Sequence, residues 1–535
     1  MSFIKKTFAL LLSIVMLFGI TACEKTKIVI NDSWAPSDGK QVEELELWIT
    51  HSLDRVRKNR KTNGKNTITI AGARGEYESF QIIASTESDS PIELKGLTVT
   101  DFTDKKGNVI ESDKYVTLYR EHYVSVNISS PASNEVIQET KGEIPDALIP
   151  VKNPQTGEKM SSSSRFYAFP FTLDNTACQP FFVDVEIPRD AVAGEYTAVY
   201  EMQTDKGTQG GVVTLKVWDI TLSKVNSQGS FFGSWSGSTK EKAEEAVKNR
   251  MFIQTSDSAF QKELYKKYGY CNNNVGFWSG SDMDDKTMNN PAPEVDAVKA
   301  KASKQYDKLN LFAYTADEIS GAAFYPGIIK YAQALHKGGI KQLIVMTPEP
   351  ELMDDGLGTG QPAVDIFVVM PKQYDTDTED IALAREKGCE IWTYNCLVQD
   401  TYSPKWLLDY PLIDYRIQPG FINYAIDADG FLFWVVDNWT TVGDPWTSLD
   451  MTYNGDGILF YPSDDVGLYS TFIPSLRVKA IRDGFEDFEL CTAIEKAGGK
   501  VEEYTKNIAT GFSDWTQDGQ VLQDNRIKLG DENSK

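Results

Sequence analysis

The 535-residue chain is predicted to hold an N-terminal antiparallel β-sandwich followed by a (β/α)8 barrel of the TIM type. Three observations predict it. Short β-rich runs separated by turn residues fill residues 43–225 with no long helical periodicity. Past Val225, strand-like runs alternate with amphipathic helical stretches, the pattern of β/α units around a parallel sheet. The second region, 226–490, also has the span of about 250 residues that an eight-fold barrel takes.

Composition narrows the function classes. With 77 Asp+Glu against 54 Lys+Arg the formal charge is −23, which repels phosphate backbones and anionic headgroups, so nucleic acid is a poor partner. The 11 Trp, 24 Tyr and 26 Phe are too many for a disordered chain and suit stacking on the apolar faces of sugars.

The elements follow in chain order. Lys5 and Lys6 precede an apolar run from Phe8 to Ile20 that is too short to span a bilayer, so residues 1–22 read as a secretory signal. Its end, Ile20-Thr21-Ala22-Cys23, resembles a bacterial lipobox. Cleavage there leaves a lipidated Cys23 anchoring the chain in the cell envelope, on the periplasmic side or at the surface, with residues 23–42 as a linker. In the sandwich, strands are expected at Thr67–Ile70, Ser79–Ala84, Val116–Tyr119 and Phe181–Ile187, and a hairpin at Glu195–Thr204 and Gly211–Trp218 around Asp205-Lys206-Gly207.

Seven barrel strands are expected: Gly229–Trp235, Leu309–Thr315, Gln342–Thr347, Asp365–Met370, Cys389–Cys396, Phe431–Val436 and Gly457–Tyr461. Phe252–Thr255 or Asn273–Trp278 would supply the eighth. Residues 491–535 read as a helical tail with a polar, frayed end. Besides Cys23, five cysteines remain; Cys389 and Cys396, about 23 Å apart in an extended strand, cannot pair, and no spacing fits a metal site.

Three histidines, His51, His122 and His336, leave little for a metal centre or a Ser-His-Asp triad, and no HExxH, GxSxG or GxxxxGK[ST] occurs. No metal or cofactor is expected. Gly356–Gly360 reads as a flexible loop, because the acidic residues before it would repel phosphate. Carboxylates at barrel strand ends remain. The strand Leu309–Thr315 runs into Ala316-Asp317-Glu318, where the active residues of such barrels sit. Tyr394 and Asn395 end a second strand, and Trp434, Asp437, Asn438 and Trp439 end a third, together a candidate carbohydrate site.

The chain resembles glycoside hydrolase family 123, retaining β-N-acetylgalactosaminidases built from a β-sandwich and a (β/α)8 barrel. The resembling segments are Gly75–Gln81, Pro145–Pro150, Ala193–Tyr196, Asp317-Glu318, Ile391–Tyr394, Asp414–Arg416, Asp429–Trp434, Gly455–Gly457, Arg477 and Ile481–Glu489. The resemblance implies substrate-assisted catalysis: the substrate's 2-acetamido oxygen attacks the anomeric carbon, Asp317 orients the acetamide, Glu318 is the acid/base, and Tyr394 donates to the acetamido oxygen. Trp434 and Trp439 would stack on the sugar, and Asn438 would bond its hydroxyls. The stretch from Trp235 to Asp317 departs from the pattern, with no polar residues placed for the site. The alternatives are an ordinary two-carboxylate glycosidase using Asp437 as nucleophile and a non-catalytic glycan-binding envelope lipoprotein.

Overall fold

A computed structural model describes residues 33–534. Cys23 and the signal segment lie outside them. Two packed sheets form the N-terminal half. One is wholly antiparallel, with strands in the order Leu45–His51, Tyr77–Thr86, Gln179–Glu186, Val116–Val126, Gly142–Pro150. The other is built on the expected hairpin, Gly194–Thr204 with Thr208–Thr221, and is antiparallel except where Thr67–Arg74 joins the second hairpin strand in parallel. Alternating apolar side chains from both sheets, among them Phe80, Ile82, Phe181, Val183, Tyr200 and Leu215, fill the space between them.

The C-terminal half is a nearly closed parallel barrel of seven strands, numbered here within the barrel: β1 Gly229–Phe232, β2 Asn272–Asn274, β3 Asn310–Ala316, β4 Lys341–Val345, β5 Ile366–Val369, β6 Glu390–Tyr394 and β7 Gly430–Phe433. They pair in the order β1-β7-β6-β5-β4-β3-β2. Phe231, Phe312, Leu343, Val345, Val368, Trp392 and Leu432 point inward and fill it. The Trp392 indole takes the space that Gly229 and Gly430 leave by lacking a Cβ.

Two strand expectations are corrected. Of the two candidates for the eighth, Asn273–Trp278 supplies β2 at its start, whereas Phe252–Thr255 is no strand: residues 252–255 lie between β1 and β2, where Phe232 N–H donates to Phe252 O at 3.0 Å and the remaining bonds run through side chains. The Asn273 amide bonds both backbone groups of Thr255, at 3.1 and 3.0 Å, and the Asn272 amide bonds both of Ser230, at 3.1 and 2.8 Å. Side-chain amides thus stand in for peptide groups, which satisfies the seam without a ladder. Gly457–Tyr461 is no barrel strand either. It turns back against residues 436–438, and Tyr461–Pro462 pairs with Phe472–Ile473. Its run Ile458-Leu-Phe-Tyr461 is fully buried because the sandwich covers it, which in sequence is indistinguishable from a central parallel strand.

A 21-residue helix, Leu476–Lys496, lies between barrel and sandwich and crosses the boundary expected at Leu490. Ser475 caps it, accepting from Val478 N–H at 3.2 Å. Most of its charged residues are buried, each against a partner. Arg477 grips Asp146 through Nε and Nη2 at 3.0 and 2.8 Å, and Lys479 and Arg482 share Asp184 at 3.0 and 2.8 Å. Asp487 is held by Arg416 at 2.7 Å and by Arg526 at 2.5 Å. Arg526 comes from the last helix, Gly519–Asn533, and also reaches Glu76 at 2.8 Å and Glu78 at 2.5 Å. The chain end expected to fray is therefore docked: Trp218 packs against Gly530 and donates to Asp531 at 2.8 Å. Among the described residues no helix is long and apolar enough to cross a membrane.

Candidate active site

The strand β3 delivers Asp317 and Glu318 to the C-terminal mouth of the barrel. Their backbone is fixed by the segment 279–281, which extends the sheet: Ser279 N–H donates to Thr315 O at 2.9 Å, and Asp317 N–H to Ser281 O at 3.2 Å. Glu318 has φ +49°, a left-handed turn that a glutamate adopts at a cost of about 1 kcal/mol. That turn lets two neighbours in sequence face one cleft instead of opposite sides of a strand.

Each carboxylate is held by a tyrosine of the barrel. Tyr314 OH donates to Asp317 Oδ1 at 2.6 Å, and Tyr394 OH, from the end of β6, donates to Glu318 Oε1 at 2.7 Å. Burial pushes the Asp317 carboxyl up to about 6; the Tyr314 bond works against that rise and the Glu318 charge adds to it. Burial first, then the Glu318 charge, pushes the Tyr394 phenol far above its ordinary range, so it stays a donor. The Cys396 thiol faces Glu318 and Asp456 and is likewise held neutral by burial and by their charges.

Aromatic rings wall the mouth. Trp235, 63% exposed, meets Trp434 edge to face at 5.1 Å, and Trp278, 45% exposed, meets Tyr314 edge to face at 5.5 Å. Large rings left this exposed beside carboxylates offer stacking area to a ligand.

The expected residues divide. Asp317, Glu318, Tyr394 and Trp434 come together. Asn395 is buried elsewhere: its amide donates to Pro404 O and Gln418 at 2.8 and 2.7 Å and accepts from Trp406 N–H at 3.2 Å. Asp437, 2% exposed, accepts from Ser234 Oγ, Trp235 N–H, Ser236 N–H and Ser236 Oγ, at 2.7, 2.7, 3.1 and 2.5 Å, which leaves no free oxygen for a nucleophile. It holds the Trp235 loop in place. Asn438 is 4% exposed, and Trp439 donates to Phe460 O at 2.8 Å and packs on Phe472, so neither offers a face to the mouth.

The stretch from Trp235 to Asp317 does contribute to the site: Trp235, Trp278 and the Ser279–Ser281 brace come from it. The signal was available, because Trp235 and Trp278 end expected strands just as Trp434 does. Tyr314 was legible as an inward neighbour of Asp317. Asp456, which reaches the mouth on a distant loop, ends no expected strand but falls within the resembling segment Gly455–Gly457.

Residues 351–494 match the family model for the glycoside hydrolase 123 catalytic domain. The match takes in Tyr394, Trp434, Asp456 and Arg477 and leaves out Asp317 and Glu318. No curated protein matches the chain. Among solved structures, a family 123 glycoside hydrolase from Clostridium perfringens, studied for glycolipid glycan hydrolysis, aligns at TM-score 0.60 and 13% identity over 92% of this chain and 97% of its own. A β-glucuronidase of Parabacteroides merdae aligns at TM-score 0.26 and 9% identity over 84% of this chain and 52% of its own, too loosely to inform the fold. The described chain thus has the fold of a family 123 glycoside hydrolase, and its 351–494 segment is similar to that family's catalytic domain.

Proposed function

We propose that the protein is a retaining exo-glycosidase that removes β-linked N-acetylhexosamine, GalNAc above all, by substrate-assisted catalysis. The observation that carries this reading is the adjacent pair Asp317 and Glu318 at a barrel mouth, each held by a neutral tyrosine and walled by exposed tryptophans. An enzyme whose substrate brings its own nucleophile needs one carboxylate to orient the acetamide and one to move the proton.

In this reading the acetamido N–H donates to Asp317, whose free oxygen faces the cleft while Tyr314 holds the other. The acetamido oxygen attacks the anomeric carbon as the glycosidic bond breaks, and Glu318 passes its proton to the departing oxygen. Asp317 offsets the positive charge that grows on the cyclic oxazoline-like intermediate. Glu318 then takes a proton from water, which opens the ring with the original configuration restored. Tyr394 turns from Glu318 to the acetamido oxygen as substrate enters. Trp434, with Trp235 and Trp278 at the rim, stacks on the sugar and its extension.

The substrate class extends to glycolipid glycans, on which the Clostridium perfringens enzyme acts, and a lipid on Cys23 would hold the enzyme at the envelope where such glycans occur. Side-by-side hydrolysis of chromogenic β-GalNAc, β-GlcNAc and β-Gal glycosides tests the reading. Turnover confined to the two acetamido sugars is expected; sugar binding without turnover of any of the three would replace it with the glycan-binding lipoprotein. Cys23→Ser should move the protein from the membrane to the soluble fraction.

A further inference from the structure

Asp456 differs from the other inward carboxylates of the barrel half. Asp437 has four donors, Asp487 has two guanidinium partners, and both are almost wholly buried. Asp456 receives the Trp434 indole N–H on Oδ1 at 3.1 Å and the backbone N–H of Gly457, and it remains half-buried with solvent reaching it. Its nearest cation, Arg477, is already engaged with Asp146 and with the carbonyls of Gly455 and Ile458.

Its place is equally defined. Trp434 leaves the end of β7 and lies against Trp235 on the rim, and a Cβ on Gly457 would meet the Trp434 ring at 2.6 Å, so the loop carrying Asp456 is pressed against that indole. The Cys396 thiol feels the charges of both Asp456 and Glu318, which puts Asp456 within reach of the carboxylate pair. The loop is tied from below by the Arg477 bond to Gly455 O at 2.9 Å. A carboxylate with one oxygen fixed by an indole edge, beside the exposed part of that ring, can accept a sugar hydroxyl while the ring covers the sugar's apolar face.

We infer that Asp456, positioned by Trp434, accepts a hydrogen bond from a ring or exocyclic hydroxyl of the terminal sugar and thereby sets which sugar the site takes. This rests on the glycosidase reading and assigns Asp456 no proton transfer. A site built to pair a substrate hydroxyl rejects analogues lacking it, because the polar group is then left unpaired. Burial pushes the Asp456 carboxyl up to about 6, so it is ionised at neutral pH and accepts through both oxygens.

The experiment compares wild type with Asp456→Asn on an aryl β-N-acetylhexosaminide and on its 3-, 4- and 6-deoxy analogues, after thermal melting shows that the variant is folded. Asp456→Asn is expected to lower kcat/KM on the parent sugar about 10- to 100-fold, mainly through KM. On one deoxy analogue wild type should lose as much, and the variant should add less than a threefold further loss. Trp434→Phe, which keeps a ring and removes the N–H, should show the same hydroxyl dependence at smaller size. An unchanged kcat/KM in Asp456→Asn, or an equal penalty on all four substrates, would overturn the assignment while leaving the glycosidase reading intact. If wild type cleaves no glycoside, the functional reading fails, and the role of Asp456 fails with it.

Discussion

Two sets of carboxylates in this molecule, one between its halves and one at the barrel mouth, are treated in different ways. Along the Leu476–Lys496 helix the buried acids that join the two halves meet cations: Asp146 with Arg477, Asp184 with Lys479 and Arg482, Asp487 with Arg416 and Arg526. At the barrel mouth the donors are neutral, Tyr314 for Asp317, Tyr394 for Glu318 and Trp434 for Asp456, and no ion pair is made by these three among the described residues. Asp184 shows one consequence: burial would raise its carboxyl, yet Arg482 and Lys479 hold it far below the usual range. Asp317 and Asp456 show the other, with burial raising both to about 6. Where two cations outweigh burial, as at Asp184, the acid is an ionised fastener between domains; burial still raises Glu76 and Glu78 to about 7 beside Arg526. At Asp317 and Asp456 neutral donors leave burial to set the proton's hold.

The largest effect expected from this contrast is on Glu318. Glu318→Gln should lower turnover of poorly activated glycosides about 10³- to 10⁴-fold, and less for aryl glycosides with acidic leaving groups, which need little protonation. Steady-state rates across a leaving-group series give both numbers, and equal losses throughout would remove Glu318 from the acid role.

Next in size is a change in the fastener set. Arg477→Ala strands Asp146 in a fully buried position and also releases the carbonyls of Gly455 and Ile458. Breaking such a pair from one side costs about 3–5 kcal/mol, readable as a shift in the denaturant midpoint. A shift near zero would show that the interdomain pairs carry no stability.

Asp317→Asn should move in the opposite sense. A carboxyl raised to about 6 binds its proton more tightly in the folded protein, so its favourable contribution is complete below about pH 4 and is lost as pH rises toward 6. The amide escapes that loss. The variant should therefore be about 1–3 kcal/mol more stable than wild type at pH 7.5 and equal to it at pH 4, while losing activity. Greater stability of wild type at pH 7.5 would mean that Asp317 has a charged partner after all.

The smallest effect concerns Tyr314. Its hydroxyl opposes the rise of the Asp317 carboxyl, so Tyr314→Phe should raise that group further. Under the proposed mechanism Asp317 is ionised when it accepts the acetamido N–H, so wild-type kcat/KM should fall as pH drops below about 6, and the variant's acid limb should move to higher pH. At neutral pH the loss should be about 3- to 10-fold, the worth of one hydrogen bond. An unmoved limb in the pH profile would detach Tyr314 from the reaction.

Much of this molecule was legible in its sequence, and the failures have a common cause. Six of the seven expected barrel strands lie where strand-like runs placed them, and Asn273–Trp278 overlaps β2; Asp317, Glu318, Tyr394 and Trp434, chosen by the rule that chemistry sits at barrel strand ends, come together at one mouth. Gly457–Tyr461 failed because an apolar run buried between domains has the texture of a central strand. Residues 252–255 failed to be a strand because Asn272 and Asn273 perform with side chains what a ladder does with backbone, and single amides have no periodicity. Asp437 and Asn395 end strands as active residues do but face loops that only the folded chain reveals. The resembling segments Gly75–Gln81, Pro145–Pro150 and Ile481–Glu489 owe their residues to the ion pairs between domains, through Glu76, Glu78, Asp146, Arg482 and Asp487.

The central claim is that the substrate's acetamido oxygen is the nucleophile and Asp317 its guide. Aryl β-N-acetylgalactosaminides carrying zero, one, two and three fluorines on the acetyl methyl test it most directly, because each fluorine weakens that oxygen without touching the leaving group or the hydroxyls. Substrate assistance predicts that log(kcat/KM) falls steeply and steadily with fluorine count, by about tenfold or more per fluorine. A flat series, with all four substrates cleaved at similar rates, would contradict it and place the nucleophile on the protein.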